Sequence, residues 1–288
     1  MKKLLLRCIS ACFIVCISLV ACEKNLSSKN DRSADSSSPN SKSKKSKPEG
    51  ITFYALAGNT LDKYSTANPE AVLNSATITG LQSGEKILGI DFRPATGELY
   101  ALGSNSRLYT VNPSTGVASF VAVLSVALNG TSFGFDFNPV VDRIRIISST
   151  GQNLRANPIT GATLVDVNIN PGPASVTSAA YDNNDTDPAT PTELYALDAT
   201  TSLLYEIDPP NAGTLIEPIA VKLKLEGDGG FDIAPRNGNV TSDIGLALYE
   251  VNKKSTLFEI DVETGETKIL AKYTKSIMYS AIAISPEL

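Results

Sequence analysis

The chain has 288 residues, 42% of them hydrophobic, and a formal net charge of -5. It contains no histidine and no tryptophan, and its four cysteines, Cys8, Cys12, Cys16 and Cys22, all lie at the start. This excludes Ser-His-Asp and Cys-His nucleophile systems, ordinary His/Cys zinc sites and a disulfide framework in the folded part. Of the 25 basic and 30 acidic side chains, three basic ones fall in residues 1–22, and seven basic and four acidic ones in residues 23–50. That leaves 15 against 26, a net of -11, in residues 51–288, which excludes a nucleic-acid surface built on clustered Lys and Arg.

Residues 1–21 read as a signal peptide. Lys2, Lys3 and Arg7 give a basic start, and residues 4–20 form an apolar stretch too short and too early for the span of a finished membrane protein. Leu19, Val20, Ala21 and Cys22 resemble the bacterial lipobox, in which cleavage precedes the cysteine and its thiol receives a diacylglycerol. The expectation is a lipoprotein acylated at Cys22 with chains such as palmitate, held on a membrane of the bacterial cell envelope outside the cytoplasm. Residues 22–50 are rich in Ser and Lys, with Leu26 the one apolar side chain of any size after Cys22. Such a tract buries too little to offset its ordering entropy and reads as a disordered linker.

From Ile51 onward the pattern is strands and turns, with no sustained helical periodicity. An inner strand recurs as GIDFRP (89–94), GFDFNP (134–139), AAYDNN (179–184), GFDIAP (230–235) and AIAISP (281–286). Aligned on the third residue of each, these fall at 91, 136, 181, 232 and 283. A second strand follows as ELYALG (98–103), DRIRII (142–147), ELYALD (193–198) and IGLALY (244–249). A third then runs into an Asn/Asp turn closed by glycine, NPSTG (112–116) or NPITG (157–161) in its clearest form, and a fourth, less patterned strand comes next. Four strands in 45 to 51 residues is the spacing of a propeller blade.

The two ends complete each other. Residues 51–56 match a second strand, whereas residues 281–286 match only a first, so the expected fold is all-β: a five-bladed β-propeller of four-stranded antiparallel blades whose closing blade is shared by the N- and C-termini. Residues 51–288 then form one domain. The alternative, an open β-solenoid or a two-sheet sandwich, fits less well because solenoid coils usually repeat at shorter intervals.

The run GIDFRPATGELYALGSNSRLYTVNPSTG, followed by GTSFGFDFNPVVDRIRIISSTGQNLRANPITGA, resembles the bacterial family known as domain of unknown function 4394. The resemblance covers nearly all of residues 51–288. It implies an exported, propeller-like protein, and it brings no catalytic residues to any position here.

Asp91, Asp136 and Asp232 share the inner-strand register with Tyr181 and Ala283, so the ring expected at the channel is Asp91, Asp136, Tyr181 and Asp232. Three convergent carboxylates suit a cation or glycosidic acid–base chemistry; the alternative is that they accept backbone N–H bonds or pair with Arg93, Arg143, Arg145 or Arg155. Asp182, Asn184, Asp185 and Asp187 form the densest oxygen-rich loop, of a kind calcium takes, although the glycine and terminal glutamate of an EF-hand are missing. A solvated turn is the preferred account of that composition. Arg143, Arg145 and Arg155 put three guanidinium groups on adjacent strands of an acidic domain, as contacts for an anion or partners for the aspartates.

No serine or lysine stands in a nucleophile motif, so carboxylate-only mechanisms remain. The reading is a binding or scaffold module rather than an enzyme, monomeric, with a protein or glycan ligand, a membrane reached through the lipid, no nucleic acid, and no cofactor beyond calcium. The alternative is a glycosidase-like envelope hydrolase using the channel aspartates.

Overall fold

The computed structural model describes residues 50–172, 175–216, 218–234, 244–274 and 277–286. The signal segment, Cys22, the tether up to residue 49, Pro235 and Ser276 lie outside the described residues. Among the described residues, twenty strands form five separate four-stranded antiparallel sheets.

In chain order these are β1 (Thr52–Ala57), β2 (Thr60–Ser65) and β3 (Asn74–Thr77); then β4 (Ile87–Phe92), β5 (Leu99–Gly103), β6 (Arg107–Val111) and β7 (Ala118–Val123). The next two blades are β8 (Phe133–Asn138), β9 (Arg143–Ser148), β10 (Asn153–Ala156) and β11 (Thr163–Val165), and β12 (Ser178–Tyr181), β13 (Leu194–Asp198), β14 (Leu203–Glu206) and β15 (Ile219–Ala220). The fourth is β16 (Glu226–Ile233), β17 (Ile244–Val251), β18 (Lys254–Asp261) and β19 (Thr267–Lys272). Finally β20 (Ala281–Ile284) returns to pair with β1, Phe53 opposite Ile284 and Leu56 opposite Ala281. It packs between the inner strands β16 and β4. The ring therefore closes on a sheet made from both ends of the domain, and the open solenoid is excluded.

Burial explains why the strands sit as they do. Because side chains alternate across a strand, each inner blade surface meets its neighbour through apolar residues, such as Phe92, Phe135, Phe137, Ile233 and Ile282, all buried. The inner strands approach so closely that a Cβ has no room at two positions: at Gly134 it would lie 2.6 Å from the backbone nitrogen of Ala179, and at Gly230 2.4 Å from that of Ile282. Glycine is required there by contact between backbones rather than by its dihedral freedom.

The NPSTG and NPITG turns have a second use. Asn112 Oδ1 accepts the backbone N–H groups of Ser114 and Thr115, and Asn157 Oδ1 those of Ile159 and Thr160. The turn glycine then presents its carbonyl to the chain leaving the outer strand of the preceding blade. Thr79 N–H donates to Gly116, Ser125 to Gly161, Asn170 to Gly213 and Lys222 to Gly265, at 2.8 to 3.1 Å. Four of the five blade junctions thus carry the same outer hydrogen bond.

Candidate functional site

One position of the sequence-based ring is corrected by the strand pairing. Asp91 lies opposite Tyr100, Asp136 opposite Arg145, Asp232 opposite Leu246 and Ala283 opposite Tyr54, equivalent places on the second strand. In the third blade the residue opposite the equivalent Tyr195 is Ala180, and Tyr181 lies opposite Leu194. The ring is therefore Asp91, Asp136, Ala180, Asp232 and Ala283. AAYDNN has Tyr at the aligned place, its Asp one position later and no Pro, so nothing in it fixes the register, and a slip of one residue moves a side chain to the other face.

With that register the three aspartates do the same thing. Asp91 Oδ2 accepts the N–H of Phe137 at 2.9 Å, Asp136 Oδ2 that of Tyr181 at 2.8 Å, and Asp232 Oδ2 that of Ile284 at 2.6 Å. Each acceptor serves the residue just after the ring position of the next blade. Asp91 and Asp232 also accept their own following N–H, from Phe92 and Ile233, both at 2.7 Å. The aspartates are inter-blade latches at the axis, and the two alanines leave the space into which three carboxyl groups converge.

Their oxygens lie within 4.8 Å of one another, and among the described residues this is the sole group of three acidic side chains so close together. All three are buried. Burial, then mutual repulsion, pushes Asp91 and Asp136 well above the usual carboxylate range. Asp232 is pushed by burial to about 7, against its two amide hydrogen bonds. Three carboxyls buried this close together repel one another when charged, which favours the protonated forms of Asp91 and Asp136. A cavity of about 20 Å³, space for about one water, lies between the inner strands, lined by residues such as Gly89, Phe135, Ala179 and Gly230 and by none of the three aspartates.

The arginines do not serve this ring. Arg93 forks onto Asp142, with Nε 2.8 Å from Oδ1. Arg145, almost fully buried, donates to Asp166 and Asn153 at 2.7 Å, Asn211 at 2.8 Å and the Tyr181 hydroxyl at 3.3 Å. Arg155 forks onto the same Asp166, at 2.6 and 2.9 Å. Exposed Arg143 donates to the carbonyls of Val141 and Asp142. These guanidinium groups hold Asp142 and Asp166 below the ordinary carboxylate range, Asp166 despite its burial. The expected pairing of arginine with the ring thus gives way to backbone latches, while Arg143, Arg145 and Arg155 gather around a separate cavity beside Tyr181.

The 182–187 loop does not converge on a cation. Asp182 Oδ1 accepts the N–H of Glu193, Asp185 Oδ1 that of Asp187 at 2.8 Å, and Asp187 Oδ1 that of Ala189 at 2.9 Å. Asp182 is buried, Asn184 half-buried, and Asp185 and Asp187 exposed. Calcium takes six to eight oxygens; the axial carboxyls are the better metal-ligand group, yet each already spends an oxygen on an amide.

Sequence reasoning passed over a second buried polar cluster in the closing blade. Tyr279 and Tyr64 hydroxyls lie 2.6 Å apart, Tyr279 donates to Asp62 at 2.9 Å, and Ser75 donates to the other oxygen of Asp62 at 2.6 Å. Residues more than 200 positions apart meet there, and no repeat marks them.

The fold and axial site define a five-bladed β-propeller with carboxyl latches between its inner strands. The chain belongs to the family described as Domain of unknown function (DUF4394), whose model matches residues 60–283. No curated protein matches the sequence. Among solved structures, it is similar to a chain of a nidogen/laminin complex at 10% identity and a TM-score of 0.49, covering 82% of this chain and 99% of that one. It is also similar to a structural-genomics protein of unknown function from Bacteroides thetaiotaomicron VPI-5482, at 15% identity and a TM-score of 0.47, covering 77% of this chain and 58% of that one.

Proposed function

We propose that this protein is a non-enzymatic binding or scaffold module, anchored to the bacterial envelope through a lipid on Cys22 and carried on the tether of residues 22–50 as a monomeric propeller. One observation carries the reading: Asp91, Asp136 and Asp232 are buried and each accepts a backbone N–H of the next blade. A glycosidase needs two carboxyl groups facing a bound sugar, with room for water. These are buried against one another, with ligand oxygens within 4.8 Å. The carboxylates that made a hydrolase conceivable are used to join blades, and recognition falls to the loops and faces of the ring.

The ligand class that suits an exported module is a glycan or another envelope protein. Immobilised glycans and envelope extracts presented to the full-length chain in mild detergent test this. Saturable binding without consumption of the ligand is the expected result, and turnover of a bound glycan overturns the proposal.

A further inference from the structure

A cavity of about 300 Å³ lies beside Tyr181, lined by Arg143, Arg145 and Arg155 together with Asn138, Tyr181 and Asn211. Its volume is at the lower end of small-ligand sites. Two properties of its wall point to one ligand chemistry.

The first is charge. Arg145 and Arg155 share a single carboxylate, Asp166, while the nearby Asp142 is taken by Arg93. Arg143 has only carbonyl partners. Four guanidinium groups therefore face two carboxylates, an excess of two positive charges in a domain whose overall charge is strongly negative. The Arg145 side chain is only 2% exposed, so its charge is poorly compensated by water.

The second is that the side-chain hydrogen-bonding capacity left over is mostly of donor type, the chief exception being Thr192, whose hydroxyl proton goes to the carbonyl of Asp182. The Oδ1 atom of Asn138 already accepts from Val140 and Val141, and that of Asn211 from Arg145; in both, the Nδ2 amide remains. The Tyr181 hydroxyl accepts from Arg145 Nε, so its own proton is left to give. Arg155 uses Nε and Nη2 on Asp166, which leaves Nη1. A cavity whose spare groups are mainly N–H and O–H donors, with cationic excess, is better matched to an oxyanion than to a neutral polyol, which must also donate.

We infer that this cavity binds the oxyanion group of a small ligand, a carboxylate, sulfate or phosphate on a molecule no larger than a monosaccharide. The inference rests on the reading of the protein as a binding module and gives that reading one address. Arg143 and Arg155 supply charge-assisted contacts from the rim, Tyr181 and the two asparagines fix orientation, and Arg145 sets the field from beneath.

The test is calorimetric titration of the full-length chain in mild detergent with sodium sulfate, sodium phosphate, galacturonate and galactose, at constant ionic strength made up with chloride. Saturable binding of at least one of the three oxyanions and none of galactose is expected. Arg143→Gln and Tyr181→Phe should each weaken that binding tenfold or more with unchanged circular dichroism, while Arg107→Gln, in another blade, should leave it as it was. The inference fails if no oxyanion saturates, if galactose binds as well, or if both variants bind like the parent chain. Failure here together with saturable binding on glycan or envelope arrays would discard this cavity and leave the binding-module reading standing.

Discussion

The buried axial carboxyls make a specific demand on pH. Asp232 is held at about 7 in the folded chain, against 3.8 when solvated. Between those values the folded protein keeps a proton that the unfolded chain has released, so this group's contribution to stability is full at acid pH and falls as pH rises, until it levels off above about 7. The slope is about 1.4 kcal/mol per pH unit, which gives a loss on the order of 4 kcal/mol across the window. Asp91 and Asp136, displaced in the same direction, steepen it. Asp142 and Asp166 are displaced downward, so their contribution is lost only as pH falls below the ordinary carboxylate range, outside this window.

Asp232→Asn removes this group and with it the repulsion that helps raise Asp91 and Asp136, so the variant's loss of stability with rising pH should be shallower. The amide cannot accept both the Ile233 and Ile284 N–H groups as the carboxyl does, at a cost of about 1 to 3 kcal/mol at pH 5. By pH 8 the parent chain bears the buried charge and the variant does not, so the two stabilities should converge or cross. Urea unfolding from pH 5 to 8.5, followed by circular dichroism or tyrosine fluorescence, reads this directly. Parent stability that is flat or rising over the range, or two parallel curves, would refute the reasoning.

Three further predictions concern assembly and address. Truncation after Ser276 removes β20, and with it the burial of Ile282 and Ile284, about 2 kcal/mol each, and the Asp232 latch; the domain should lose cooperative unfolding, whereas deletion of residues 23–48 should leave its Tm unchanged. Gly230→Ala places a methyl 2.4 Å from the nitrogen of Ile282, and chemical denaturation should register a loss of about 1 to 3 kcal/mol. Metabolic labelling with a fatty-acid analogue should mark the parent chain in a bacterial host and not Cys22→Ala; equal labelling of both would remove the lipid anchor from the account.

Most of the architecture was legible because it repeats. Gly-x-Asp-x in three inner strands and N-P-x-T-G after two third strands, with looser relatives in other blades, are short-range signals, and the unmatched pieces at residues 51–56 and 281–286 fit only a closed ring. The register of the third blade was not legible, because AAYDNN has no Asp at the aligned position, and pairing of Ala180 with Tyr195 depends on the partner strand. The arginine cavity was half legible: the three guanidinium groups stand out in an acidic domain, but Asp166, Asn211 and Tyr181 come from three different stretches that only folding brings together. The Tyr64, Tyr279 and Asp62 cluster left no signal, since its members belong to opposite ends of the domain.

The central claim is that the axial aspartates join blades and perform no chemistry. Its most direct test is the turnover of a panel of chromogenic glycosides and isolated envelope polysaccharide by the parent chain and by Asp136→Asn, from pH 4 to 8, with Tm recorded on the same samples. The account predicts no turnover by either chain at any pH and a changed Tm in the variant, because the buried carboxyl that accepts the Tyr181 N–H and repels Asp91 becomes a neutral amide. Turnover by the parent chain that disappears in Asp136→Asn while Tm stays the same would contradict it.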